Sequence, residues 1–211
     1  MALREKTKIL VTGFEPFGGD SFNPSSEAVR RLDDTEQYRL LKVTLPVTWQ
    51  ETVPTLFRAW DSFSPDAVLM TGLAGGSDRI RVERVGINLC GASRDNDGRY
   101  PDGSSDNAVE KIISSHGADA YFATYDDKGI LAALRGAGIP AAFSFSAGTY
   151  LCNHILYSAL EKNKMEAGKV SIGFLHLPYA EGMKPDVPAL PMDTLVEALK
   201  LALAHMIKEE T

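Results

Sequence analysis

The chain has 211 residues, 44% hydrophobic and 24% charged, with a formal net charge of −6, the proportions of one globular domain spanning residues 1–211. No run of Lys and Arg offers a surface for nucleic acid or an anionic membrane. No apolar run approaches the roughly 20 residues of a membrane span or follows Met1 as a leader would, so a cytoplasmic protein is expected.

Lys8 to Phe14 is a β-branched run and predicts a first buried strand. The turn-rich segment Glu15-Pro16-Phe17-Gly18-Gly19-Asp20 predicts a loop. Asn23, Pro24 and Glu27 have the spacing of an N-cap, a first helical position and an acidic first turn, so a helix is expected from there to about Leu32. Tyr38 to Leu45 predicts a second strand. Trp49 to Phe63 predicts a helix through Val53, Leu56, Phe57 and Trp60, with Pro54 obscuring its start.

Asp66 to Gly72 predicts a third buried strand, and the partly regular alternation of Ile80 to Leu89 a fourth. Cys90 to Asp106 holds four Asp and three Gly, as a long surface loop would, and such a loop is more often functional than idle. Helices are expected over Asp126–Ala137, Gly148–Asn163 and Pro191–Glu209, the last with Leu195, Leu199, Ala202 and Met206 on one stripe. Strands are expected over Ile139–Phe145 and Val170–Leu177. This alternation predicts an α/β sandwich with helices on both faces of a central sheet.

Five positions carry possible chemistry. Cys152 follows a strand and opens a helix, where unpaired backbone N–H groups stabilise negative charge and can hold an oxyanion. A buried structural cysteine is the commoner state of such a residue, and for Cys90 that reading is adopted. A nucleophilic thiol needs an imidazole. His154 lies two positions along the same helix and faces away; His205 ends the last helix; His116 lies in a polar turn. His176 closes a buried strand, where α/β sheets bind ligands, and is the best base by elimination. A hydrogen-bonded core histidine gives the same pattern. Glu83 suits a third, orienting group, but periodicity does not say whether it faces His176. Phe14 and Phe17 could line an apolar slot at a strand end, though pattern alone favours loop aromatics folded onto the core. Two distant cysteines without paired histidines suggest neither a disulfide framework nor a zinc site.

In order along the chain, Thr12-Gly13-Phe14-Glu15-Pro16-Phe17-Gly18-Gly19 with Asn23-Pro24-Ser25, Glu83-Arg84-Val85-Gly86-Ile87-Asn88, Ser146-Ala147-Gly148-Thr149-Tyr150-Leu151-Cys152-Asn153-His154 and Gly173-Phe174-Leu175-His176-Leu177-Pro178 resemble the motifs of pyroglutamyl peptidase I, also called pyrrolidone carboxyl peptidase. The resemblance spans nearly the whole chain. It implies a three-layer α/β/α fold with a mixed, twisted sheet. It implies a Glu83–Cys152–His176 triad and a pocket for the lactam ring between Phe14 and Phe17, with Tyr150 and Leu151 nearby. It also implies peptides with N-terminal pyroglutamate as substrates, no metal or cofactor, and a homotetramer.

Two departures stand out. Leu73 occupies a place where the family has Gln or Leu, so no amide side chain is available there to the lactam. The loop Gly91-Ala92-Ser93-Arg94-Asp95-Asn96 is one residue shorter than the family's and lacks its Ile-Pro; Arg94 is the candidate for the family's loop arginine on the oxyanion side. The weighed alternatives are a homologue that binds pyroglutamyl peptides with weakened turnover, and a phosphorylase-like enzyme on a similar fold, for which no phosphate or ribose site is evident.

Overall fold

A computed structural model of the chain describes residues 5–106 and 108–207. In chain order its elements are β1 (Thr7–Phe14), α1 (Pro24–Arg30), β2 (Tyr38–Leu45), α2 (Thr52–Phe63), β3 (Ala67–Leu73), β4 (Ile80–Glu83) and β5 (Val85–Ile87). There follow β6 (Ala120–Phe122), α3 (Asp127–Gly136), β7 (Ala141–Ser144), α4 (Leu151–Met165), β8 (Ser171–Leu177), β9 (Tyr179–Ala180), β10 (Ala189–Leu190) and α5 (Met192–Ala204).

The central sheet runs β2-β1-β3-β8-β4-β7. Its first four strands are mutually parallel; β4 meets β8 antiparallel and β7 meets β4 parallel, so the sheet is mixed. Alternation along the strands builds the two outer layers. Ile9, Val11, Ala67, Leu69, Ile80, Val82, Leu175 and Leu177 bury against α1, α3 and α5. Leu10, Val68, Met70, Ile172 and Phe174 bury against α2 and α4 on the other face. This is the expected three-layer α/β/α sandwich. Among the described residues no helix is long and apolar enough to cross a membrane.

Several boundaries differ from expectation, each for a physical reason. The run Ile80 to Leu89 is not one strand. It breaks at Arg84, and β5 leaves the sheet to pair antiparallel with β6. Gly86 lies so close to α4 that a Cβ there would stand 2.8 Å from the Tyr157 nitrogen. The Asn153 amide completes the joint, accepting from Ile87 N at 2.9 Å and donating to the Ile87 and Leu89 carbonyls at 2.8 and 2.9 Å.

The helix expected from Trp49 begins at Thr52, which puts Pro54 in its first turn, where a missing N–H costs nothing. α4 begins at Leu151 rather than Gly148, α1 ends at Arg30, and α5 ends at Ala204 with His205 as its C-cap. Residues 208–209 of the expected last helix lie outside the described residues. The stripe Leu195, Leu199, Ala202 and Met206 is buried as predicted.

Candidate active site

Parity places the three candidate groups on one face. Phe174 and His176 are two apart on β8, and both turn toward α4. Ile80 and Val82 of β4 face the opposite layer, so Glu83 also turns toward α4. Its Oε1 lies 2.8 Å from His176 Nδ1, with Glu83 fully buried. Its Oε2 has no hydrogen-bond partner among the described residues, so its polar contact is concentrated on the imidazole. Tyr125 locks the two strands beneath, its hydroxyl donating to the Glu83 carbonyl at 2.9 Å and the Phe174 carbonyl at 3.2 Å.

Cys152 is the second residue of α4. Its sulfur fits above the sheet because residue 72, the register partner of His176 on β3, is glycine. A Cβ at Gly72 would lie 2.8 Å from Cys152 Sγ, 3.0 Å from Phe174 Cζ and 3.5 Å from His176 Cδ2. Sequence reasoning missed Gly72; a glycine closing a buried strand was its signal, since such positions often mark a close approach. Burial by itself would lower the basicity of His176. The charge and hydrogen bond of Cys152, then those of Glu83, outweigh it and raise the imidazole pKa to about 9. An imidazolium that persists at neutral pH can donate a proton.

The N-terminus of α4 carries no side-chain cap, so its first-turn N–H groups remain open to a ligand's oxygen. Beside it lies a cavity of about 310 Å³. Phe14, Phe17, Val47 and Leu73 form apolar walls, and Ala147, Tyr150, Leu151, Cys152 and His176 complete the helix side. Phe14 and Phe17 therefore do face a slot, Phe14 from the end of β1 and Phe17 from the loop that follows. That loop is fixed by Asn23, whose Oδ1 accepts from Ser25 N and Oγ at 3.0 and 2.8 Å while its Nδ2 donates to the Glu15 carbonyl at 3.1 Å. Ser25 Oγ in turn accepts from Phe14 N at 3.0 Å.

The acidic segment read as a surface loop is pinned in place. Buried Asp95 accepts from the backbone N–H groups of Trp49, Asp97 and Arg99 at 2.8, 3.0 and 2.9 Å. Asn96 donates to the Pro16 carbonyl at 3.0 Å, tying the loop to the Phe17 wall. Tyr150 donates to the Arg94 carbonyl at 3.1 Å. Burial and then Asp95 push the Tyr150 phenol above its ordinary range, keeping it a donor. Arg94 itself is not brought into the cavity. Its side chain is exposed, with the guanidinium 5.1 Å from the Tyr100 ring.

The other histidines are placed apart. His154 turns from Cys152 and packs 5.7 Å from the Trp49 ring; burial lowers its pKa to about 4. His205 Nδ1 lies 3.2 Å from Asp126, and His116 is exposed. Cys90 is buried and has no disulfide partner.

A family profile described as pyroglutamyl peptidase matches residues 7–209. The pyrrolidone-carboxylate peptidase of Thermococcus onnurineus is 40% identical over 205 residues, covering 95% of this chain and 99% of that one. Pyrrolidone-carboxylate peptidase 2 of Caldanaerobacter subterraneus is 38% identical over 208 residues, with 95% and 97% covered. Among solved structures, pyroglutamyl peptidase I from Bacillus amyloliquefaciens superposes with a TM-score of 0.88 at 34% identity, covering 98% of this chain and 100% of that chain.

Proposed function

This chain belongs to the pyroglutamyl peptidase family, and from that premise we propose how its site cleaves the amide between an N-terminal L-pyroglutamyl residue and the next residue of a peptide. Cys152 is the nucleophile, His176 the acid and base, and Glu83 the group that orients His176. The observation that carries this reading is the row of buried Glu83, its Oε1 2.8 Å from the Nδ1 of buried His176, and half-buried Cys152, its Sγ in the space above Gly72.

The lactam enters between Phe14 and Phe17, with Tyr150 and Leu151 beside it. The thiolate attacks the pyroglutamyl carbonyl carbon, and a C–S bond forms. Charge builds on the carbonyl oxygen, which the open N–H groups of α4 stabilise. The C–N bond then breaks as the His176 imidazolium gives its proton to the leaving amine. Water enters, His176 takes one of its protons, and the oxygen attacks the acyl carbon. Breaking the C–S bond expels the Cys152 thiolate, releases pyroglutamic acid and restores the thiolate–imidazolium pair. Glu83 holds the imidazole in the tautomer that presents Nε2 to the reaction and stabilises its protonated form. Arg94 acts at a distance, through its carbonyl and the Tyr150 hydroxyl.

Two free thiols, one of them the nucleophile, suit a reducing compartment, which supports a cytoplasmic enzyme. The family resemblance supports a homotetramer. The test of the activity is release of a fluorophore from a pyroglutamyl amide in buffer free of phosphate and added metal. Absence of turnover in a folded protein would favour a binding homologue, and a requirement for phosphate a phosphorylase-like reaction. Intact Cys152, His176 and Glu83 in one row weigh against both.

A further inference from the structure

Arg81 stands one strand across from His176. The two are register partners in the antiparallel β4–β8 pair, an arrangement that sets opposite Cβ atoms about 4.5–5.5 Å apart. Ile80 and Val82 face the α1/α3/α5 layer, so Arg81, like Glu83, turns toward α4. Gly72, His176 and Arg81 therefore form one row across β3, β8 and β4, with the Cys152 sulfur above Gly72 at one end and a guanidinium at the other. Because β4 runs against β8, Arg81 lies near the start of its strand, level with the carboxyl end of β8.

Among the described residues this guanidinium makes no ion pair with a carboxylate. It is half-buried, and its hydrogen bond among the described residues runs from Nε to Ser77 Oγ at 3.3 Å. Asp78, close enough to be influenced by Arg81, is held by Arg79 through Nε at 2.6 Å and Nη2 at 2.8 Å. Arg84, three residues on and also half-buried, has Asp127. A planar guanidinium with its terminal nitrogens uncommitted is shaped for bidentate contact with a carboxylate.

The position assigns the contact to one part of the substrate, on the reading given above. The lactam occupies the cavity beside Cys152, whose lining does not include Arg81. The leaving nitrogen must reach His176 to receive its proton. The chain beyond that nitrogen then departs on the His176 side, toward Arg81. We propose that Arg81 binds a carboxylate on the leaving part of the substrate. The enzyme thereby selects pyroglutamyl peptides whose next residue carries one, either as an acidic side chain or as the free terminal carboxylate of a pyroglutamyl dipeptide.

Three substrates separate these sources: pyroglutamyl-alanine amide, which has no carboxylate, pyroglutamyl-glutamic acid α-amide, and pyroglutamyl-alanine with its terminus free. The native enzyme should cleave at least one of the last two with a kcat/KM about tenfold above the first, the scale of one charge-assisted hydrogen bond. The gain should lie mainly in KM and shrink as ionic strength rises. Arg81→Gln should abolish the ratio, and Arg81→Lys should keep part of it. Equal kcat/KM for all three substrates in the native enzyme, or an unchanged ratio in Arg81→Gln, overturns the proposal. If Arg81→Gln fails to fold, the ratio and its salt dependence in the native enzyme still decide. Failure of the native enzyme on all three substrates would instead sink the reading of the site itself, and this proposal with it.

Discussion

Gly72 and Cys152 share one volume: the space that a side chain on residue 72 would fill is where the Cys152 sulfur sits, 2.8 Å from the position of an ideal Cβ. Gly72→Ala is therefore an informative substitution. The closest clash is with the Cys152 sulfur, which can rotate away, and the buried Phe174 ring at 3.0 Å must give by a few tenths of an ångström, so stability should fall modestly. The sulfur, however, is displaced relative to His176, and a misplacement near 1 Å costs about 10²-fold in rate. Kinetics and thermal unfolding of the same variant check this. An unchanged kcat/KM would show that the sulfur does not work from this position.

The two thiols should separate cleanly. Cys152→Ala is expected to remove turnover, and Cys90→Ala to leave it largely intact. Burial pushes the Cys90 thiol up to about 11, so it remains a protonated, poor nucleophile at neutral pH. Limited alkylation of the folded enzyme with iodoacetamide, read by peptide mass, should label Cys152 and spare Cys90, with activity lost in step. Activity surviving full modification of Cys152 would rule out the thiol mechanism.

The pH profile follows from His176. Its imidazole value is raised to about 9, above the 6.5 of the free side chain, so the folded protein binds the proton more tightly than the unfolded chain. The stabilisation from that proton is complete below about 6.5 and is lost as pH rises through about 9. The rate should bend down on the same alkaline side, as a limb belonging to the coupled His176–Cys152 pair. Glu83 contributes to the raised value, so Glu83→Gln should move the limb to lower pH and reduce kcat/KM, by about 10²–10⁴-fold if it acts as orienting carboxylates do elsewhere. A limb that stays in place in Glu83→Gln would separate Glu83 from the imidazole's chemistry.

Much of this site is legible in the chain itself because strand parity is a strict code. The alternation of Ile80 and Val82 with Arg81 and Glu83, and of Leu175 and Leu177 with Phe174 and His176, already assigns Glu83 and His176 to the faces of their strands opposite those leucines, isoleucine and valine. What parity cannot give is strand adjacency. β4 reaches β8 only through the sheet order β3-β8-β4, an outcome of long-range packing. Local pattern equally could not reveal that Ile80 to Leu89 breaks, since the break is imposed by Gly86 and Asn153 against α4, far along the sequence. The loop after Cys90 read as polar surface because its Asp and Asn side chains bind backbone groups and leave no periodic trace. The family resemblance points to Arg94 as the loop arginine, whereas loop geometry sends its side chain to Tyr100.

Substrate discrimination is the most demanding test of the cavity. Pyroglutamate differs from proline chiefly by a ring carbonyl, which turns the ring nitrogen into an amide. The faces of either ring fit between Phe14 and Phe17, so the aromatic walls do not choose between them. Beyond the Tyr179 hydroxyl, side chains lining the slot offer little help: Leu73 has no polar group, both polar atoms of the Asn23 amide are already engaged by Ser25 and Glu15, and the Tyr150 hydroxyl donates to the Arg94 carbonyl. Phe14 N is likewise taken by Ser25. Recognition of the lactam carbonyl and N–H thus falls mainly to backbone groups around the cavity, which do not adapt to a ring lacking them. A site built on such hydrogen bonds rejects the analogue without them by up to about 10⁴–10⁵-fold, whereas an apolar slot alone discriminates only about 10–200-fold. The ratio of kcat/KM for pyroglutamyl over prolyl amide should therefore exceed the apolar range. Leu73→Gln, which adds an amide at the wall, should preserve or raise that ratio if the new group faces the ring. Comparable cleavage of the two amides by the native enzyme would mean that the slot reads shape alone, even with Cys152 as the nucleophile.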